Sequence, residues 1–328
     1  MCGILTFLSW NDEVSESAFR RGLERLEHRG PDGKGAWISP HRRVALGHTR
    51  LSIIDLNTGE QPIANLDGSL RIVANGEFYD FERVRQRLQE WGYTFKTQSD
   101  TEIALHLYDQ FGPECLRYLR GEFAFVIWDD RQQLMFAARD RFGIKPLYYT
   151  VYQDTLYLAS EIKALLAAGI PAVWDQETFL AVNARALHPE RTLVAGVQQV
   201  PPGHFLIASH GTVKLQRYWD FDYAIAPDAE SASPPPPTLQ DYAAQVSATL
   251  DDAIRLRLRS DVPIACYLSG GLDSSAILGI ANQHASSPLP AFSLAFSHDD
   301  YNEIAIAQET AKHLGSELHV LPIQDADL

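Results

Sequence analysis

The chain has 328 residues, 45% hydrophobic and 21% charged, a balance that excludes a disordered or fibrous chain and leaves room for two separately packed cores. Its 28 Lys and Arg stand against 42 Asp and Glu, a formal net charge of −14, so a broad nucleic-acid-binding face is not expected. Cys2, Cys115 and Cys266 are odd in number and widely spaced, which points to a reducing compartment, and the longest apolar run, 123–128, is far short of the ~20 residues that cross a bilayer.

In chain order, short β-branched or aromatic runs between turn residues predict strands at 3–9, 70–74, 121–128, 134–138, 147–151 and 155–159. Phe19, Leu23 and Leu26 recur at helical spacing, as do Phe81, Val84, Leu88 and Trp91, so two amphipathic helices interrupt the strands and suggest α+β layering. The stretch APDAESASPPPPT at 226–238 reads as a stiff polyproline spacer; it divides the chain into a domain at 2–220, a linker at 221–238 and a second domain at 239–328. Beyond it the spacing predicts a helix at 239–258, a buried strand at 262–268, a glycine-rich turn, a helix at 275–282, a strand at 291–296, a helix at 303–314 stopped by Gly315, and a strand at 317–321. That βαβαβ order implies a parallel sheet.

Cys2 carries the first chemical signal. If Met1 is removed, one residue holds both a thiol and a free α-amine, and the amine can take the thiol proton near neutral pH without a histidine. The plainer reading of Cys2 is a small apolar residue opening a strand. Four polar clusters follow: His28-Arg29-Gly30-Pro31-Asp32, Arg50-Leu51-Ser52-Ile53-Ile54-Asp55, Asn75-Gly76-Glu77-Phe78-Tyr79 and Ser99-Asp100-Thr101-Glu102. Together with Met1-Cys2-Gly3-Ile4 they closely resemble, in order, the N-terminal-nucleophile glutaminase domain of class II glutamine amidotransferases, in the version found in asparagine synthetases, over residues 1 to 220.

That resemblance implies a four-layer αββα fold and a pocket for glutamine. The Asn75 side-chain amide and the Gly76 N–H would form the oxyanion hole, with glycine permitting a tight turn. Arg50 would fork onto the substrate carboxylate, Asp100 with Glu77 nearby would receive the ammonium, and backbone around Ile53 would complete the site. Read alone, Asn-Gly is a common turn and Asp100 a helix N-cap. His28, Arg29 and Asp32 are expected to order a loop, and His41, His48, His106 and His188 show no metal-ligand spacing, so no zinc site is expected.

The second signal is Leu268-Ser269-Gly270-Gly271-Leu272-Asp273-Ser274-Ser275, between a predicted strand and a predicted helix. Unpaired N–H groups at a helix start, with the positive end of its dipole, suit an anion. The Gly-Lys-Ser/Thr ending of a Walker loop is absent. SGGLDSS instead resembles the pyrophosphate loop of ATP pyrophosphatases that form acyl-adenylates. The resemblance implies that Ser269, Gly270, Gly271, Ser274 and Ser275 grip the pyrophosphate of ATP, that Asp273 helps to hold Mg²⁺, and that Leu268 and Leu294 frame the adenine.

Taken together, the resemblance implies glutamine-dependent asparagine synthesis in the cytoplasm. Glutamine, ATP and aspartate would be the small-molecule partners, neither nucleic acid nor membrane would be one, and a homodimer is a candidate assembly. The second domain, α/β with a parallel sheet, reads as truncated at Leu328, so this polypeptide is expected to hydrolyse glutamine and make little asparagine. Two rivals stand beside that expectation: an amidotransferase of the same family with another acceptor, and a non-catalytic regulator that binds ATP or glutamine.

Overall fold

A computed structural model describes residues 1–186, 188–223, 238–296 and 303–324, and the chain forms two compact units, Met1–Tyr223 and Ala224–Leu328. The proline-rich stretch up to residue 237 and the last four residues lie outside the described residues.

The first unit begins with β1 (Gly3–Ser9), α1 (Glu16–Glu24), β2 (Gly33–Ile38), β3 (Val44–Arg50), β4 (Ile63–Ala64) and β5 (Leu70–Phe78). It continues through α2 (Phe81–Glu90), α3 (Glu102–Phe111), β6 (Gly121–Asp129), β7 (Leu134–Arg139), β8 (Tyr148–Tyr152), β9 (Thr155–Ala159), α4 (Ile162–Ala167), α5 (Gln176–Asn183), β10 (Gln198–Gln199), β11 (His204–Ser209) and β12 (Thr212–Arg217). Two six-stranded sheets result, in the orders β10-β8-β9-β1-β3-β2 and β12-β11-β7-β6-β5-β4, with antiparallel pairing in each.

Side-chain alternation along the strands builds the layers. β6 sends Phe123, Phe125 and Ile127 to one side, where they pack with Phe81 and Leu88 of α2 and Ile103 and Leu107 of α3. Its Ala124, Val126 and Trp128 face the other sheet, meeting Ile4 and Leu8 of β1 and Leu46 of β3. On that sheet's far side Leu5 and Phe7 pack with Phe19 and Leu23 of α1 and Ala164 and Leu165 of α4. The order is helix, sheet, sheet, helix, as the resemblance implies.

The second unit holds α6 (Leu239–Arg257), β13 (Cys266–Tyr267), α7 (Leu272–His284), β14 (Ala291–Phe296), α8 (Ile304–Leu314) and β15 (Leu318–Ile323). A capping box opens α6: Thr238 Oγ1 accepts from Asp241 N–H at 3.2 Å, and Asp241 Oδ2 accepts from Thr238 N–H at 2.8 Å. β13, β14 and β15 pair in parallel, over a small core of Leu268, Leu278, Ala291, Ala307 and Ala311. Gly315 stops α8 at φ 70°, as its sequence position predicts.

Several expectations change. The strand expected at 70–74 runs on through Phe78, because Asn75 and Gly76 stay in register with Ala124 and Phe123; Asn-Gly here is strand, not turn. The strand expected at 262–268 shrinks to Cys266–Tyr267, since Pro263 has no N–H for the ladder and β13 lies at the sheet edge. Asp100 is not the N-cap of α3. Thr101 occupies that position without a side-chain cap bond, and the Asp100 carboxylate turns instead to β5. β3, β11 and β12 are strands that sequence pattern did not mark; in β3, VALGHTR, glycine and polar residues interrupt the apolar run although all seven residues are buried.

Candidate active site

Cys2 lies just before β1, and the segments after β3, along β5 and before α3 converge on it. Cys2, Arg50, Ile53, Asn75, Gly76, Glu77 and Asp100 all line one cavity. Met1 and Ser99 of the quoted motifs line it too, as do Gly59, Gln61 and Lys145, which lie outside those motifs.

The Cys2 sulfur is held at Leu51, whose N–H donates to Sγ at 3.4 Å and whose carbonyl accepts from the thiol at 3.7 Å. Burial pushes the thiol pKa up, against the lowering effect of the Leu51 bond, the neighbouring α-ammonium and Arg50. A neutral thiol needs a base. Burial also lowers the pKa of the α-amino group at Met1.

Asn75 is 1% exposed, yet neither Nδ2 nor Oδ1 has a hydrogen-bond partner. An unsatisfied buried amide costs about 1–3 kcal/mol, and a polar ligand atom in the cavity it shares with the Cys2 thiol could satisfy it. The backbone before it is fixed from both sides: Gln61 Oε1 accepts from Ala74 N–H at 2.6 Å, and the His48 ring sits with Nε2 3.0 Å from Ala74 O. Burial lowers the His48 pKa to about 4, so the neutral ring donates there and is a satisfied core group. Gly76 has φ 149°, and a Cβ on it would stand 2.0 Å from Glu122 O, so close approach to β6 is what requires glycine.

Charge is placed at two points of the cavity. Arg50 is 8% exposed; its Nη2 donates to the carbonyls of Ile54 (3.2 Å) and Asp55, which anchors the guanidinium and leaves other N–H groups for an anion. The loop that supplies those carbonyls is pinned by Asp55, whose carboxylate accepts from Thr58 N–H and Gln98 N–H, each at 2.8 Å. Asp100 Oδ2 accepts from Phe78 N–H at 2.7 Å and Oδ1 from the Ser99 hydroxyl at 3.3 Å. Burial pushes the Asp100 pKa up to about 6, and the nearby Glu77 charge adds to the rise. Opposite charges so placed suit a zwitterionic amino acid.

The His28-to-Asp32 loop does more than form a turn. Arg29 Nε donates to the Cys2 carbonyl at 2.8 Å, and Asp32 Oδ2 accepts from Ser52 N–H at 2.8 Å. Partners so far apart in sequence leave no local signal.

In the second unit, Ser269 to Gly271 lead into α7. Gly270 takes φ 89°, and Ser269 Oγ lies 3.0 Å from Ser274 Oγ and accepts from Gly271 N–H at 3.3 Å. The Ser275 hydroxyl donates to Gly271 O at 2.8 Å. The N-cap Gly271 gives no side-chain cap, so the first-turn N–H groups of α7 are available to an anion. Leu268 is 1% exposed and belongs to the unit's core, so it offers a ligand its backbone rather than its side chain, whereas Leu294 is 48% exposed. Asp273 is an exposed single carboxylate, and among the described residues no cluster of three or more His, Cys, Asp or Glu could hold a metal.

Among the described residues no helix is long and apolar enough to cross a membrane. Residues 1–219 match the glutamine amidotransferase domain family and residues 245–328 match the asparagine synthase family. Amidase chry2 of Gibberella zeae is 38% identical over 100% of this chain and 52% of its own length. Asparagine synthetase 1 of Bacillus subtilis is 37% identical over 92% of this chain and 46% of its own length. The chain therefore spans about half the length of the curated relatives it matches. The solved glutamine phosphoribosylpyrophosphate amidotransferase from B. subtilis, complexed with ADP and GMP, shares the fold at a TM-score of 0.53 and 18% identity, over 98% of this chain and 90% of that one. With its first unit matched almost end to end and asparagine synthase sequence following it, the chain belongs to the glutamine amidotransferase family.

Proposed function

We propose that the first unit hydrolyses glutamine, with Cys2 as nucleophile. Once Met1 is removed, the Cys2 α-amine takes the thiol proton and sulfur attacks the side-chain carbonyl carbon of glutamine. Asn75 Nδ2 and Gly76 N–H receive the charge that forms on oxygen. The carbon–nitrogen bond breaks, the α-ammonium returns its proton to the leaving nitrogen, and ammonia departs from a γ-glutamyl thioester that water then hydrolyses to glutamate. Arg50 and Asp100 hold the α-carboxylate and α-ammonium of the substrate, with Ile53 and Glu77 beside them. The observation that carries this reading is the buried, unpartnered Asn75 amide in the cavity that Cys2 lines.

The ammonia would then amidate an aspartate side chain activated by ATP as an acyl-adenylate, with AMP and pyrophosphate released. The uncapped start of α7 and the match of residues 245–328 to the asparagine synthase family support this second half. ATP would lie with its phosphates on Ser269, Gly270, Gly271, Ser274 and Ser275, between Leu268 and Leu294. Mg²⁺ would neutralise phosphate charge; Asp273, a lone carboxylate, fits a cation that takes most of its ligands from phosphate and water. Measuring glutamate, with and without aspartate and ATP, beside asparagine tests both halves. Glutamate release is expected in each case, and its absence overturns the glutaminase reading. Asparagine that requires both aspartate and ATP supports the second half.

Relatives named amidases match the whole chain as well as the asparagine synthetases do, which favours one second reading: the activated acid is not aspartate. Glutamate release with no asparagine, but with AMP formed on another carboxylic acid, is its expected result.

The Asp100 carboxyl sets a pH dependence. With its pKa at about 6 in the free protein, it is neutral below that pH and gives the substrate ammonium no counter-charge. kcat/KM for glutamine is expected to fall about tenfold per pH unit below 6, while kcat at saturation shows no inflection from this group, because the bound ammonium keeps Asp100 ionised. A profile of both constants from pH 4.5 to 7.5 checks it. For stability the sign is opposite: folded Asp100 keeps its proton to a higher pH than the unfolded chain does, so its contribution is full below 3.8 and is lost as pH rises through about 6.

A further inference from the structure

The N and Sγ of Cys2 must keep a fixed relation if one residue is to be both nucleophile and base, and its main chain is held from outside the cavity. Arg29 Nε donates to the Cys2 carbonyl at 2.8 Å. The Arg29 side chain is 8% exposed, and its Nη2 is buried without an acceptor. A buried guanidinium with an unsatisfied N–H stays in place only if a counter-charge is close. Glu161, immediately after β9 and Ser160, supplies it: Oε1 accepts from Arg29 Nη1 at 2.8 Å and lies 3.0 Å from His28 Nε2, while Oε2 meets Lys163 Nζ at 2.9 Å. Although partial burial works against it, hydrogen bonds from Arg29, Lys163 and His28 hold the Glu161 pKa at about 2, so the counter-charge is permanent. The preceding residue grips the same strand, since Ser160 Oγ accepts from Ile4 N–H and Ser160 N–H donates to Ile4 O, both at 3.0 Å.

We propose that Glu161 is a positioning residue for the nucleophile: acting through Arg29, it fixes the Cys2 main chain so that thiol and α-amine stay in attacking geometry. The inference rests on Cys2 being the glutaminase nucleophile. Glu161 touches neither substrate nor sulfur, and the Arg50 and Asp100 side chains are anchored elsewhere, on the Ile54 and Asp55 carbonyls and on Phe78 N–H and the Ser99 hydroxyl. Its loss therefore lowers turnover and spares glutamine binding.

Steady-state kinetics on Glu161→Ala, Glu161→Gln and Glu161→Asp test this, the glutamine variant keeping the shape of the side chain if the alanine variant folds poorly. The expected result is a kcat lowered about 10- to 100-fold in the alanine variant, with KM for glutamine within threefold of the parent. The glutamine variant should be intermediate, and the aspartate variant should recover much of the loss. A kcat within twofold of the parent in both the alanine and glutamine variants, or a KM that rises as much as kcat falls, overturns the proposal. If the parent protein hydrolyses no glutamine, the glutaminase reading fails by itself. Glu161 is then judged by the rate at which iodoacetamide alkylates Cys2, followed by peptide mass spectrometry: a change of at least threefold in Glu161→Gln supports positioning, and an unchanged rate overturns it.

Discussion

Replacing Cys2 with alanine is expected to lower glutamate formation by at least about 10³-fold, with serine little better. The cavity holds other polar groups, but none supplies a second thiol: Cys115 is fully buried in the core with α3, and Cys266 belongs to the other unit. Alanine leaves Arg29 its contact, because that bond goes to the Cys2 carbonyl and not to the side chain. Folding is therefore retained while chemistry is lost. Serine keeps the shape, but its hydroxyl gives up a proton far less readily than a thiol and is the poorer nucleophile toward an amide in a pocket formed around sulfur. A glutamate-release assay, with thermal unfolding of each variant beside it, separates the two effects.

The second large effect is at Asn75. Asn75→Ala is expected to cost about 10²- to 10³-fold in kcat, the range seen when one preorganised oxyanion donor is removed, with KM nearly unchanged. Stability should move differently. The substitution removes two buried polar atoms that have no partner in the free protein, which offsets the small cavity it leaves, so the melting temperature should hold or rise. A variant that is as stable as the parent and nearly inactive is the signature of a polar group kept for the transition state. A fall in melting temperature with kcat intact would assign Asn75 to folding instead.

How much of this was legible depends on the distance over which each signal acts. The strands at 3–9, 155–159 and 291–296 follow from local alternation and turn residues, and the structure has them at the same bounds. The run of motifs along the first unit was legible too, and residues of all but the His28-to-Asp32 motif meet in one cavity. Long-range contacts were not legible. Arg29 reaches Cys2 across 27 positions and Glu161 across 132, so a loop-ordering role was all that the local pattern offered. Asn-Gly read in isolation is a turn signal, which hides what holds Gly76. Its real constraint, the Glu122 carbonyl, belongs to a strand more than 40 residues on, and only the β5–β6 register exposes it. Asp100 misled in a similar way: a short carboxylate before a helix favours capping, but the Phe78 N–H of β5 captured it.

On the proposed mechanism residue 2 brings both sulfur and α-amine to glutamine. The most direct measurement of this is mass spectrometry of the protein after incubation with a diazoketone analogue of glutamine, in which the thiol sulfur displaces N₂ and keeps a carbon–sulfur bond. One adduct per chain is expected, on the sulfur of a Cys2 that is itself the N-terminal residue. An adduct elsewhere, or steady glutamine turnover by a protein that retains Met1, would contradict it.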